Sequence, residues 1–369
     1  MILCHKIFMY RALYLAKKGQ FTTSPNPNVG CVIVYNGKIV GEGFHYKAGE
    51  SHAEINALKM AGKKAQGATA YITLEPCSHY GKTPPCVNAL INAGISCVCV
   101  SMQDPNPKIQ GRGLLKLQKA GIKVLHGLLI DEAEDLNKGF LKRMRTGFPY
   151  IQLKLAASLD GKTALASGES KWLTSSEARK DVQTFRAKAS AVLTTSSTVI
   201  NDNPSLNVRW EDFTSKLKNI YPKEQIRQPI RIILDRNNQV TSEHVITKVT
   251  GECWLIRSKP ILQNWMDHVK EIIIPSYKKG FDLMLVMTQL GKRNINSIFI
   301  ESGPKLAGSL LQLKLIDELI IYIAPKILGK QAKGLFDIPA LEKISNASLF
   351  KFINVECIGF DVRLRLKPL

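Results

Sequence analysis

The sequence predicts an α/β protein built from two domains. Three observations carry that prediction. A chain of 369 residues is long for a single hydrophobic core. From Lys6 to His126 the pattern reads as a helix, a hairpin, and then helices and strands in alternation. That order predicts a central sheet with helices on both faces. Finally, Gly147-Phe148-Pro149 breaks the pattern and a new strand follows, which places domains at 1–147 and 148–369.

The elements follow in order. Lys6 to Lys18 carries Ile7, Tyr10, Leu13 and Tyr14 at helical spacing, as one apolar side of a helix. Ser24-Pro25-Asn26-Pro27-Asn28 is a loop that leads into a strand, Cys31 to Tyr35. Asn36-Gly37 is the turn pair of a tight hairpin into Lys38 to Phe44. Ser51 opens a helix running to Ala61, and Ala68 to Glu75 is a strand. Val87 to Ala93 is a helix closed by Gly94, with strands at Ile95 to Ser101 and Ile122 to His126. Leu136 to Arg145 is a short helix before the break.

Beyond the break the strands are Tyr150 to Leu155, Ala191 to Leu193, Pro229 to Asp235 and Asn296 to Ile300. The first runs into Ser158-Leu159-Asp160-Gly161-Lys162, a turn at a strand's carboxyl end, where α/β proteins collect ligand groups. The second opens into Thr194-Thr195-Ser196-Ser197-Thr198 and the turn Asn201-Asp202-Asn203-Pro204. The last ends in Glu301-Ser302-Gly303-Pro304, and a helix begins near Lys305. A turn feeding a helix start offers free N–H groups to a phosphate, but it is not a Gly-x-Gly-x-x-Gly fingerprint. Taken alone, it does not identify a ligand.

Composition narrows the class. Hydrophobic content of 45% and charged content of 22% are ordinary for a soluble globular protein. No apolar run approaches the roughly 18 residues of a membrane span. Met1-Ile2-Leu3-Cys4-His5-Lys6 is too short and too soon polar for a secretory signal. Eight cysteines without a regular framework fit free thiols and a metal site in a reducing cytoplasm. The net charge of +21 is scattered, with one cluster at Lys142, Arg143 and Arg145. A nucleic-acid binder concentrates such charge in stripes, whereas an enzyme of phosphorylated metabolites gains steering from it. The expectation is a small anionic substrate, with neither nucleic acid nor membrane as partner. A base deaminase of tRNA or single strands with an appended binding domain is the alternative.

The chemistry concentrates in His52-Ala53-Glu54, Pro76-Cys77 and Cys86. One imidazole and two thiols suit zinc with an open fourth position, and Glu54 supplies an acid/base beside it. Zinc with a non-ligating glutamate is the equipment of a nucleobase deaminase. Competing readings exist. Ser51-x-x-Glu54 matches a capping box, in which Glu54 only satisfies backbone donors. Cys77 and Cys86 stand further apart than in the simplest deaminase signature. Cys97 and Cys99 sit inside an apolar strand, where buried thiols are the default. His79, between the two cysteines of the site, is either a spare ligand or a substrate contact.

These motifs resemble the bifunctional riboflavin-biosynthesis deaminase/reductase family. Asn26-Pro27-Asn28-Val29-Gly30, His52-Ala53-Glu54 and Thr73-Leu74-Glu75-Pro76-Cys77-Ser78-His79-Tyr80-Gly81-Lys82-Thr83-Pro84-Pro85-Cys86 are similar to its deaminase half. There the longer loop between the cysteines is normal. Gln152-Leu153-Lys154-Leu155-Ala156-Ala157-Ser158-Leu159-Asp160-Gly161, Ala166-Ser167-Gly168-Glu169-Ser170 and the run from Glu301 to Ser309 are similar to its reductase half. The likeness spans essentially the whole chain.

The resemblance implies a cytidine-deaminase-like three-layer α/β/α domain followed by a dihydrofolate-reductase-like α/β domain. It implies that His52, Cys77 and Cys86 hold zinc and that Glu54 moves the proton. NADPH is then expected against Ala156, Trp172, Thr198, Asp202, Arg236 and the turn Gly303-Pro304-Lys305-Leu306-Ala307-Gly308-Ser309. The phosphoribosyl substrate is expected at Ser170, Arg186, Leu206, Arg209 and Glu301. Arg236 stands where other members carry small polar residues, and Ala156 where a glycine is common. The planar forks of Arg186 and Arg209 suit a ribose phosphate. Lys154, on a strand otherwise lined by Ile151, Leu153 and Leu155, is a catalytic candidate together with Asp202. The implied reactions are hydrolytic deamination of 2,5-diamino-6-ribosylamino-4(3H)-pyrimidinone 5′-phosphate and NADPH-dependent reduction of the product's ribosyl group. A homo-oligomer, dimer or tetramer, is expected.

Overall fold

The structure is a computed structural model that describes residues 2–80, 84–107, 109–277 and 280–369. The chain divides into two compact units, Met1–Gly147 and Phe148–Leu369. The first runs α1 (Ile2–Lys18), β1 (Gly30–Tyr35), β2 (Lys38–Phe44), α2 (Ala53–Ala61), β3 (Thr69–Leu74), α3 (Cys86–Asn92), β4 (Cys97–Met102), α4 (Arg112–Lys119), β5 (Lys123–His126) and α5 (Ile130–Thr146). Its sheet has the order β2-β1-β3-β4-β5. β1 lies antiparallel to both neighbours, and β3, β4 and β5 are parallel.

Alternation along β1 explains the layers, because successive side chains leave a strand on opposite faces. Cys31 and Ile33 join α2, α3 and α4 in one core. Val32 and Val34 join α1 and α5 in the other. At the hairpin tip Asn36 and Gly37 both take positive φ, 48° and 73°, as the mirror-image turn requires.

Three local readings need correction. α1 forms and Leu13 is buried as expected, but Ile7, Tyr10 and Tyr14 are exposed, and Met9, Ala12 and Ala16 are buried in their place. The cause is backbone contact: a Cβ at Gly30 would lie only 2.0 Å from the Ala12 carbonyl oxygen. The helix seats on its small residues, which turns the aromatic ones away. Ser51 does not cap α2; His52 holds the N-cap position and no side chain caps the helix. α5 begins at Ile130 rather than Leu136, because Asp131 and Glu132 make a first turn that suits the helix dipole without apolar spacing.

The second unit opens with β6 (Tyr150–Ser158), β7 (Lys162–Ala164), α6 (Ser176–Lys188), β8 (Ala191–Thr195), α7 (Ser196–Asp202), α8 (Ser215–Ile220) and β9 (Ile230–Leu234). It continues through α9 (Val245–Lys248), β10 (Cys253–Arg257), β11 (Val269–Ile273), β12 (Ser276–Tyr277), β13 (Gly280–Phe281), α10 (Leu283–Lys292) and β14 (Ser297–Glu301). It closes with α11 (Pro304–Gln312), β15 (Glu318–Ala324), β16 (Lys333–Gly334), β17 (Phe350–Ile358) and β18 (Asp361–Pro368). Nine strands form one sheet in the order β11-β10-β9-β8-β14-β6-β15-β18-β17. β6, β8 and β14 are parallel neighbours, so their carboxyl ends share one edge. That edge carries the Ser158 turn, the α7 start and the Glu301–Pro304 turn. Among the described residues no helix is long and apolar enough to cross a membrane.

Candidate active sites

In the first unit, three elements deliver three donors to one point. Cys77 lies just past the end of β3, Cys86 opens α3 behind the N-cap Pro85, and His52 precedes the first turn of α2. Their donor atoms all lie within 4.8 Å of one another. His52 Nδ1 stands 3.6 Å from Cys77 Sγ and 3.3 Å from Cys86 Sγ. Tetrahedral zinc with ordinary bond lengths separates a sulfur from a nitrogen by about 3.5 Å. The donor set therefore fits zinc in both chemistry and spacing.

The electrostatics suit a cation at that point. Hydrogen bonding with Cys86 and His52 pulls the Cys77 thiol down to about 4, against the cost of burial. Cys86 moves the opposite way, because it shares its proton with Cys77 in a buried place. The Cys86 N–H donates to Cys77 Sγ at 3.3 Å. Glu54 is buried at 3% exposure, and burial pushes its carboxyl up to about 7 while His52 pulls it back. Since nothing caps α2, the carboxyl is not consumed by a capping box.

Sequence reasoning missed the support around these three donors. His45 packs its ring edge against His52, with centroids 5.2 Å apart. Asn26 lies 3.0 Å from His45 Nε2, and the Ser51 carbonyl lies 3.2 Å from its Nδ1. Only Asn26 carried a signal, through its place in the Pro/Asn loop. His79 is exposed and lies outside the donor cluster found among the described residues. Gly81, Lys82 and Thr83 lie outside the described residues. Cys97 and Cys99 are free, and burial raises both thiols.

In the second unit, Lys154, Arg186 and Glu301 come together. Glu301 on β14 pairs in register with Lys154 on β6, and Arg186 Nε lies 2.6 Å from Glu301 Oε1. Burial lowers the Lys154 ammonium, while Glu301 opposes and Arg186 adds to the shift. Burial raises Glu301, yet Arg186 and Lys154 outweigh it and hold the carboxyl below its usual range. Arg186 also donates to the Asn207 carbonyl at 3.1 Å, and Arg209 Nε pairs with Asp212 at 2.6 Å. Both forks are thus engaged within the protein.

Ser170 and Asp202 line one cavity of about 480 Å³ with Ser167, Lys171, Asn201 and Lys333. Lys171 Nζ donates to the Asp202 carbonyl at 2.9 Å, and no hydrogen bond or ion pair joins Asp202 to Lys154. Trp172 is exposed beneath the Arg179 guanidinium, which stands 4.5 Å from its ring centre. Thr198 lies at the start of α7, with its hydroxyl 3.3 Å from that of Thr195. Ala156 is half-buried in register with Tyr322, and Arg236 lies past β9, 3.3 Å from the Asn237 amide oxygen.

The remaining predicted residues divide by burial. Leu206 is buried at φ 50°, and Leu306 and Ala307 pack inward on α11, where Gly308 is also buried. Ser309 is exposed and bonds back to the Lys305 carbonyl at 3.0 Å. At Gly303, the N-cap of α11 ahead of Pro304, an added Cβ would meet nothing within 4 Å. The neighbouring Ser302 hydroxyl is buried without a hydrogen-bond partner. Open space, free helix N–H groups and an orphaned hydroxyl fit a cofactor phosphate there. The Ser158–Lys162 turn has a different role. Asp160 accepts from the Leu328 and Gly329 N–H groups at 3.1 and 2.8 Å and serves as a loop clamp.

Comparison with known proteins follows this division. Residues 3–102 match the cytidine and deoxycytidylate deaminase zinc-binding region, and residues 149–364 match the RibD C-terminal domain. The riboflavin biosynthesis protein RibD of Escherichia coli is 59% identical over 97% of this chain and 98% of its own length. The chain belongs to the RibD family. The RibD of Haemophilus influenzae is 55% identical over 98% of this chain and 97% of its own. A solved RibD of Acinetobacter baumannii superposes with TM-score 0.91 at 43% identity, covering 100% of this chain and 99% of that one. A Thermotoga maritima structure, described as a diaminohydroxyphosphoribosylaminopyrimidine deaminase/5-amino-6-(5-phosphoribosylamino)uracil reductase, gives 0.87 at 34% identity, covering 100% and 99%. As a RibD-family member the chain is a bifunctional deaminase and reductase of riboflavin biosynthesis that uses zinc and NADPH. Both halves are cytidine-deaminase-like and RibD-reductase α/β domains, as the sequence implied. The single-strand nucleic-acid deaminase is set aside, because the match extends through the reductase half.

Proposed function

We propose that Met1–Gly147 deaminates 2,5-diamino-6-ribosylamino-4(3H)-pyrimidinone 5′-phosphate and that Phe148–Leu369 reduces the ribosyl group of the resulting uracil. The convergence of His52, Cys77 and Cys86 beside a buried Glu54 carries this reading. These three residues would hold zinc, which supplies Lewis acidity and a water nucleophile near neutral pH. Glu54 takes a proton from the attacking water at its carboxylate and returns it to the departing amine, so that the amino group leaves as ammonia. His45 keeps the His52 ring in place.

In the reductase half, Thr198, Asp202, Ala156, Trp172, Arg236 and the Gly303–Ser309 segment, through the open start of α11, would hold NADPH, which supplies the hydride. Ser170, Arg186, Leu206, Arg209 and Glu301 would hold the substrate, with Leu206 contributing backbone only. Lys154, in register with Glu301 on the neighbouring strand, polarises the ribose carbonyl oxygen through Nζ and provides its proton. A homo-oligomer in the cytoplasm, with small phosphorylated pyrimidines and no nucleic acid as partners, completes the reading. The +21 charge fits anionic substrates.

The test supplies the diaminopyrimidine phosphate with and without NADPH and follows ammonia and NADPH separately. Ammonia is expected in both cases, and NADPH consumption only after ammonia appears. Ammonia without any NADPH consumption contradicts the reductase assignment; neither product contradicts both.

A further inference from the structure

Glu75 lies two residues before Cys77, buried at 3% exposure, and takes no part in the chemistry above. Its carboxylate is surrounded by backbone donors from a distant stretch of chain. Oε2 accepts from the N–H groups of Asp104 and Gly111 at 3.3 and 3.0 Å. Oε1 accepts from those of Gly113 and Leu114 at 2.9 and 3.4 Å. α4 has Gly111 at its N-cap and no side-chain cap of its own. Glu75 therefore supplies the missing cap from another element, where a negative charge is favoured.

Two further contacts leave the chain between Glu75 and Cys77 little freedom. A Cβ at Gly113 would lie 2.4 Å from the Pro76 carbonyl oxygen, so α4 rests directly on that peptide. On the other side, the Val87 N–H donates to the Cys77 carbonyl at 3.2 Å. Cys77 is thus suspended between α3 and the anchor that Glu75 makes with α4.

We infer that Glu75 is a positioning residue of the deaminase half: it fixes the strand end that presents Cys77 and so sets the grip on the metal. Its charge is used on backbone donors and touches neither substrate nor the reacting atoms. The inference rests on the assignment of Cys77 as a zinc ligand. Residues that orient metal ligands typically change affinity or activity by about 10–100-fold when altered.

The test is Glu75→Gln in the full chain, which keeps the volume but turns an amide NH₂ toward N–H groups. Zinc release to a chelator is expected to quicken at least about tenfold, and deamination to slow by about 10–100-fold. Reduction of the deaminated intermediate, catalysed by the other unit, should be unchanged. Glu75→Asp, which keeps the charge, should recover part of both losses. Unchanged zinc release and deamination overturn the inference, as does equal loss of both activities. Should Glu75→Gln fail to fold, Gly113→Ala carries the test, since its Cβ would press on the Pro76 carbonyl oxygen at 2.4 Å and on Glu75 Oε1 at 3.1 Å while the charge stays in place. Zinc release as slow as in the unaltered protein would then overturn it. An unaltered protein that neither binds zinc nor deaminates refutes the ligand assignment instead.

Discussion

Glu54→Gln is expected to lower ammonia release by about 10²–10⁴-fold, the usual worth of a positioned acid/base, while zinc content stays the same. Glutamine matches glutamate in size, and Glu54 lies outside the group His52, Cys77 and Cys86 proposed to hold the metal. The loss should therefore fall on kcat rather than on metal affinity. The side chain is buried and no capping role occupies it, so its carboxyl remains available to the chemistry. NADPH consumption with the deaminated phosphoribosylaminouracil should not change, because the reductase residues belong to the other unit. Ammonia release within about threefold of the unaltered enzyme, well inside that acid/base range, would remove Glu54 from the mechanism. Loss of zinc would make it a structural group.

Lys154→Met is expected to lower the reductase kcat by about 10²–10³-fold, the usual cost of removing one preorganised donor from a buried site. Methionine keeps most of the length and apolar volume, so the sheet should hold. Glu301 retains its 2.6 Å pair with Arg186, which avoids stranding a buried carboxylate. Deamination should be untouched, and KM for NADPH should move little, because the Gly303 turn and Thr198 remain. Steady-state assays of the two half-reactions on one preparation separate these effects. An unaltered reductase kcat would reduce Lys154 to a spectator in the pair formed by Glu301 and Arg186.

Much of this was legible in the sequence, and the rest failed for physical reasons. The three donors that the structure gathers at the first site stand out in the sequence because each sits where local chain chemistry is plain: a strand end before Pro76, a helix start after Pro85, and the opening of α2. The hairpin at Asn36-Gly37 was equally plain, since its backbone demands residues tolerant of positive φ. The face of α1 was misread because periodicity ranks side chains by hydrophobicity. The close approach of Gly30 to Ala12 rewards small ones instead. Glu75 stands inside the Thr73–Cys86 motif, but spacing assigned it no role, as its four partners are backbone groups of residues from Asp104 to Leu114. In the reductase half, Lys154, Arg186 and Glu301 come from two strands and a helix. The resemblance joined Arg186 to Glu301 in advance, whereas Lys154 was read from its strand and set beside Asp202 instead. Asp160 looked like a ligand group by position, but the neighbouring loop's N–H groups claim it.

Metal analysis paired with the two half-reactions, before and after chelation, is the most direct test of the account. About one zinc per chain is expected, as for a three-ligand catalytic site. Its removal should stop ammonia release from the diaminopyrimidine phosphate, leave NADPH consumption with the deaminated intermediate intact, and be reversed by added zinc. Ammonia release that persists in metal-free protein would contradict the account.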